Sequence, residues 1–160
     1  MLVIFENETK VILPQLLLTQ LKEHPQTAGF QKESGGIILG SKKAHQPTYI
    51  IKELTFPNKR DRRFPRAFIR SKKKANEAIV HAWQNSSGYI NYLGEWHTHN
   101  KLKPKKSRTD KDLIRKLLQD NCLPYGIILI LIIGNNKFGN LTMVDKAAKA
   151  IKEVDFIWQD

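Results

Sequence analysis

His97 and His99 stand two residues apart at the end of an apolar segment, and Ser107 and Asp110 follow after a seven-residue loop. Side chains alternate along a strand, so the two imidazoles share one face. Asp110 falls in the first turn of a helical pattern, one turn after Ser107, so both can face the strand end. Two nitrogens and one oxygen make three protein ligands for a metal ion. A fourth tetrahedral position is left for water, the feature that separates catalytic zinc sites from closed structural ones. A cysteine-type zinc finger is excluded, since Cys122 is the only cysteine. A cupin-like site wants a Glu soon after the second His, and Asn100 to Lys103 contain none.

Hydrolysis at such a site needs a proton carrier within hydrogen-bond reach of the attacking water. Two carboxylates qualify. Glu95 shares strand parity with His97 and His99. Glu33 precedes Ser34-Gly35-Gly36-Ile37-Ile38-Leu39-Gly40, at the mouth of a very apolar strand whose glycines permit close backbone approach. Residue chemistry alone leaves the two level.

These groups must be held by an ordered scaffold. A chain of 160 residues, 41% hydrophobic and 26% charged, suits one soluble domain over 1–160. The spacing of Val11, Leu13, Leu16, Leu17, Leu18 and Leu21 predicts a helix over 11–24, with Pro14 in its first turn. Thr27-Ala28-Gly29 breaks it. Strands are predicted over 36–40, 48–56 and 89–99, and Ser71 is placed to cap a helix reaching Trp83. Residues 59–70 read as a basic, proline-containing loop. Ser107 or Thr109 caps a helix whose core face is Leu113, Ile114, Leu117 and Leu118, stopping near Asn121. Residues 126–133 form a β-branched run of the kind buried on both faces. After a turn at Asn135-Asn136, strands follow over 138–144 and through Phe156, Ile157 and Trp158. The alternation describes an α/β fold around one mixed sheet. The start Met-Leu-Val-Ile-Phe-Glu lacks the basic region of a signal peptide. No apolar run is long enough to span a bilayer. A lone cysteine suits a reducing, cytoplasmic setting.

Glu33-Ser34-Gly35-Gly36-Ile37-Ile38-Leu39-Gly40, with His97-Thr98-His99 and Ser107-Arg108-Thr109-Asp110, resembles the JAMM signature of the JAB1/MPN/Mov34 metalloprotease family. The order of elements is similar over nearly the whole chain. The resemblance implies a mixed sheet flanked by helices, of cytidine-deaminase-like type. It also implies one Zn2+ held by His97, His99 and Asp110, with Glu33 as general acid/base and Ser107 stabilising the oxyanion. Two loop positions depart from the family pattern, Asn100 and Lys106 standing where prolines are usual. All five chemical positions are retained, which argues against an inactive scaffold. The Gly-Glu-Trp-His-Thr-His wording and the short chain are similar to the deconjugating isopeptidases of CBASS anti-phage operons. That implies removal of a cGAS-like nucleotidyltransferase from its conjugated targets, or processing of its C-terminus, by hydrolysis of the amide after a flexible C-terminal tail. Processing of a ubiquitin-like sulfur carrier is the alternative within the same bond chemistry.

The net charge of +12 admits a rival of another class, a non-proteolytic nucleic-acid partner. The run Lys59-Arg60-Asp61-Arg62-Arg63 motivates it, but only Phe64 and Phe68 supply aromatic neighbours for base stacking. Lys101, Lys103, Lys105, Lys106 and Arg108 lie between the proposed ligands and so must rim the site. They are expected to guide an acidic tail or partner surface. Trp96 alternates away from the histidines and is expected in the core. His24, His45 and His81 lack ligand partners nearby in sequence.

Overall fold

The computed structural model describes residues 1–5, 8–26, 30–119 and 123–157. Thr27-Ala28-Gly29, Asn121, Cys122 and Trp158 lie outside the described residues. Strands β1 (Leu2–Ile4) and β2 (Lys10–Ile12) come first, then helix α1 (Gln15–Lys22), β3 (Gly35–Lys42) and β4 (Thr48–Leu54). A hairpin of β5 (Arg62–Phe64) and β6 (Ala67–Ile69) precedes α2 (Lys72–Asn85) and β7 (Asn91–Thr98). Helix α3 (Arg108–Gln119), β8 (Ile127–Ile133), β9 (Phe138–Asp145) and β10 (Ala150–Ile157) complete the order.

One eight-stranded sheet runs β1-β2-β4-β3-β7-β8-β9-β10. The pairs β2·β4 and β7·β8 are parallel and the others antiparallel. Helix α1 buries Leu17, Leu18 and Leu21 on one face of the sheet, with Trp96, Leu129 and Leu131. The opposite face is shared. Ala75 and Ala82 of α2 pack on Ile37, Leu39 and Tyr92, and Ile114 of α3 packs on Ile128, Ile130 and Ile132. Strand β8 is therefore covered on both sides, and its seven residues are all buried, as the β-branched run predicts.

Three expectations need correction. The helix over 11–24 begins only at Gln15, because Val11 lies in β2, paired with Tyr49 of β4. The apolar stripe there merges two elements, a strand and a short helix, that face the same core. Pro14 has extended ψ of 148° and stands before the helix, and Leu16 is exposed. Residues 59–70 are not only a loop, since β5 and β6 pair within them. The strand with the histidines ends at Thr98, leaving His99 just beyond it. Ser71 does cap α2, its hydroxyl accepting from the Lys74 N–H at 3.4 Å.

A bulge decides which side chains of β7 face the chemistry. Pairing with β3 slips between Ile38 and Leu39, so Ile38 opposes Gly94 while Leu39 opposes Tyr92. Beyond the slip, Trp96 points into the α1-side core while Glu95 and His97 face the other way. Gly94 has φ +155°, and a Cβ there would lie 1.8 Å from the Leu129 carbonyl oxygen. Gly94→Ala is expected to destabilise by about 2 kcal/mol or more, through backbone strain and a forced separation of β7 from β8. Urea unfolding checks this, and an unchanged midpoint would contradict it.

Candidate active site

The site lies at the carboxyl end of β7, between the start of α3 and the β5–β6 hairpin, on the side of the strands where open α/β sheets bind ligands. Its cavity of about 590 Å3 is lined by Glu33, Glu95, His97, His99, Ser107 and Asp110, among others. Residues 65–68 of the hairpin form one wall, and Lys101, Lys105 and Lys106 the opposite rim.

His97, His99 and Asp110 converge there. Their facing ligand atoms are 3.1 Å apart for His97 Nε2 and His99 Nε2. His97 Nε2 is 3.2 Å from Asp110 Oδ1, and His99 Nε2 is 3.7 Å from Oδ2. Ligands about 2.0–2.1 Å from a common centre stand about 3.4 Å apart at tetrahedral angles. This group of two imidazoles and one carboxylate thus fits a single metal ion.

The helix places Asp110 by a reciprocal cap. Ser107 N–H donates to Asp110 Oδ2 at 2.6 Å, and Asp110 N–H donates to Ser107 Oγ at 3.2 Å. This satisfies two backbone donors at the start of α3 and aims the carboxylate at the histidines. Ser107 is therefore the cap, and Thr109 is not.

The electrostatics follow from burial and pairing. Burial alone would raise the Asp110 carboxyl, but hydrogen bonds and charge from His97 and Ser107 hold it well below the usual carboxylate range. Burial opposes protonation of His97, yet Asp110, Glu33 and Glu95 together raise it. Burial and the neighbouring His97 push His99 down to about 4, while a backbone hydrogen bond with Lys105 works the other way. Such a contact also orients the ring, as the outer partners of metal-binding histidines do.

The two carboxylates differ in setting. Glu95 Oε1 accepts from Arg70 Nε at 3.0 Å and Nη2 at 2.8 Å, and from the Tyr92 hydroxyl at 3.3 Å. Arg70 as the partner of Glu95 has no local signature in the sequence. Glu33 is buried at the cavity wall. Burial raises its carboxyl from 4.5 to about 7, with Asp110 adding to the rise and His97 opposing it.

The lysine rim is less uniform than its sequence suggests. Lys106 is tied down, its Nζ donating to Thr142 Oγ1 at 2.9 Å and pairing with Glu153. Lys103 lies by Phe138 and Asp155 in a separate pocket. Of the four loop lysines, Lys101 and Lys105 line the cavity with no side-chain ion pair among the described residues. His24 stacks on Phe56 with ring centres 4.8 Å apart. His45 sits at positive φ in an exposed turn, and His81 is an exposed neighbour of Asn85. None of the three approaches the site.

The fold and this cluster define a class. The chain belongs to the family of prokaryotic homologs of the JAB domain, whose pattern matches residues 14–146. Among curated proteins it is similar to a CD-NTase/cGAS isopeptidase of Pseudomonas aeruginosa (strain BWHPSA011 / Pa011). The two are 36% identical over 107 residues, 66% of each chain. A CD-NTase/cGAS isopeptidase of Vibrio cholerae is 27% identical over 137 residues, 83% of this chain and 81% of its own. One of Escherichia coli (strain TW11681) is 29% identical over 106 residues, 66% of this chain and 65% of its own.

Proposed function

We propose that this chain is a zinc-dependent isopeptidase that hydrolyses the amide bond after the C-terminal tail of a conjugated protein. The observation that carries this reading is the convergence of Glu33 with His97, His99 and Asp110 in one open cavity. Bound at those three residues, zinc supplies Lewis acidity to the scissile carbonyl and to water. Glu33 takes the proton as the water oxygen bonds to the carbonyl carbon. It then delivers that proton to the amine nitrogen as the C–N bond breaks. Glu95 is the weaker candidate, because Arg70 and Tyr92 already occupy its Oε1. The Ser107 hydroxyl donates to the oxyanion while its backbone N–H keeps Asp110 oriented.

The relatives' names, CD-NTase/cGAS isopeptidase, support conjugates of a cGAS-like nucleotidyltransferase as substrate, and the resemblance to the isopeptidases of CBASS operons supports a setting in anti-phage defence. The test is to incubate the zinc-loaded protein with such a conjugate, linked by an isopeptide bond, and to read both products by mass spectrometry. Release of an intact tail carboxylate and a free amine is expected. No cleavage by zinc-loaded protein would overturn the reading.

The basic rim yields a separate expectation. Exposed charges steer encounter, and their reach shrinks to ~8 Å at physiological salt. Reversing Lys101 and Lys105 to Glu is expected to raise KM about tenfold at low salt, with kcat within about twofold, and to flatten the salt dependence. If kcat/KM is unaltered at low salt, the two lysines are a solvated surface only.

A further inference from the structure

The run Lys59–Arg63 is not one basic patch. Lys59, Arg60 and Arg62 are exposed, whereas Arg63 turns inward. Arg63 Nε donates to the Glu33 carbonyl oxygen at 2.8 Å. Its Nη2 donates to Ser34 Oγ at 2.7 Å and to the Lys32 carbonyl at 3.3 Å. The Glu33 N–H in turn donates to the Phe64 carbonyl at 2.9 Å. The backbone on which the Glu33 side chain is mounted is thus gripped by β5 from one side.

The metal-ligand strand grips it from the other. Ser34 N–H donates to Thr98 Oγ1 at 2.9 Å, and Thr98 N–H donates to the Ser34 carbonyl at 2.8 Å. Thr98 lies between the two histidines, with its side chain on the opposite face. Gln26 closes the ring, its amide donating to the Pro65 carbonyl at 2.9 Å and its Oε1 accepting from Thr98 Oγ1 at 3.4 Å. Arg63 is the one charged side chain in this clamp. Its planar fork makes three bonds to the Lys32–Ser34 segment, two to backbone carbonyls and one to the Ser34 hydroxyl, which a point-charge ammonium cannot reproduce.

We propose that Arg63 is a positioning residue that fixes the Glu33 carboxylate relative to the metal ligands and to the hairpin wall of the cavity. The inference rests on Glu33 being the proton carrier. Loss of the clamp lets the Lys32–Ser34 backbone shift, and a misplacement of about 1 Å at a reacting group costs on the order of 10²-fold. Arg63→Met is therefore expected to lower kcat by about 10–100-fold, with KM within about threefold. Zinc content is expected to stay at the wild-type value, because no ligand atom is touched. Arg63→Lys is expected to recover only part of the rate.

The decisive experiment is the double-mutant cycle formed by Glu33→Gln and Arg63→Met, measured on the zinc-loaded protein. If Arg63 acts through Glu33, then Arg63→Met adds no further loss in the Glu33→Gln background. An equal loss in both backgrounds, or kcat within twofold of wild type for Arg63→Met, overturns the inference while leaving the role of Glu33 standing. Wild-type kcat for Glu33→Gln overturns that role and the inference together. Should Arg63→Met fail to fold, Arg63→Lys and Arg63→Gln are read by the same criteria.

Discussion

Glu33→Gln is expected to lower kcat by about 10²–10⁴-fold, the usual contribution of a positioned acid/base, roughly 3–5 kcal/mol of barrier. Glutamine keeps the shape and the hydrogen-bonding capacity but cannot carry the proton. Zinc stoichiometry is expected to be unchanged, because Glu33 is not among the three converging ligands. The pH profile gives an independent check. The carboxylate is the proton-accepting form, so activity rises with pH through its titration. Burial raises that titration from 4.5 to about 7, and a bound cation pulls it back down. The acid limb of kcat/KM is therefore expected between 4.5 and about 7. Stability has the opposite sign. A carboxyl with a raised folded-state titration favours folding in its neutral form, and that contribution is lost as pH rises through the same window. The Glu33→Gln variant should accordingly melt no lower than wild type at pH 8, while being nearly inactive. If Glu95→Gln abolishes turnover and Glu33→Gln does not, the roles of the two carboxylates are reversed.

Removing the metal or one of its ligands is expected to abolish turnover. Asp110→Asn and His97→Ala each disrupt a donor set whose members lie within 4.8 Å of one another. Chelation of the wild type should give the same loss, reversed by added zinc. Stability supplies a readout free of the assay. An ion that binds only the folded state stabilises by about 2.7 kcal/mol at 100-fold excess over its Kd. For a domain of this size that is a rise in Tm of roughly 5–10 °C. Asp110→Asn should lose both the Tm rise and the zinc. Elemental analysis finding no zinc in metal-replete wild type, or a Tm indifferent to zinc, contradicts the assignment. Neutral His99, held down to about 4, is ready to bind at ordinary pH. His97, which Asp110 holds above the ordinary histidine range, is the ligand at which protons compete, so apparent zinc affinity is expected to fall as pH drops below neutrality.

The relation between the rim lysines and Glu153 bears on how the basic charge is read. Lys106 adjoins the cap residue Ser107 and is bound across the sheet to Thr142 and Glu153. Pro104 of the same loop is buried, close to Gly134. The loop is thus anchored at its middle and at its end, and its net charge overstates what a substrate meets. Arg63 is a second case, where a residue in a charge run is consumed by backbone carbonyls. Both reduce the weight of the high net charge as an argument for nucleic acid, since a polyanion needs cations that are free to approach it.

The sequence by itself determined the local parts of the site. Strand alternation put Glu95 and His97 on one face and Trp96 on the other. The one-turn spacing of Ser107 and Asp110 put both where they can face the strand end, with the cap left between Ser107 and Thr109. The apolar run 127–133 declared a strand covered on both sides. Each of these depends on neighbours within a few residues, where backbone periodicity leaves little choice. The same reliance on local pattern misled at residues 11–14, where a strand and a helix facing one core merged into a single stripe. Only the tertiary structure distinguished the settings of Glu33 and Glu95, by bringing Arg70 to Glu95 and by burying Glu33 beside His97 and Asp110. It also placed Arg63 on the Glu33 backbone, Glu153 on Lys106 and the bulge at Gly94. Those contacts join residues far apart in the chain, brought together by the neighbouring of β3, β7 and β8, by the β9–β10 edge and by the separate β5–β6 hairpin. Strand order is set by how whole hydrophobic faces pack together, and no short window of residues encodes it.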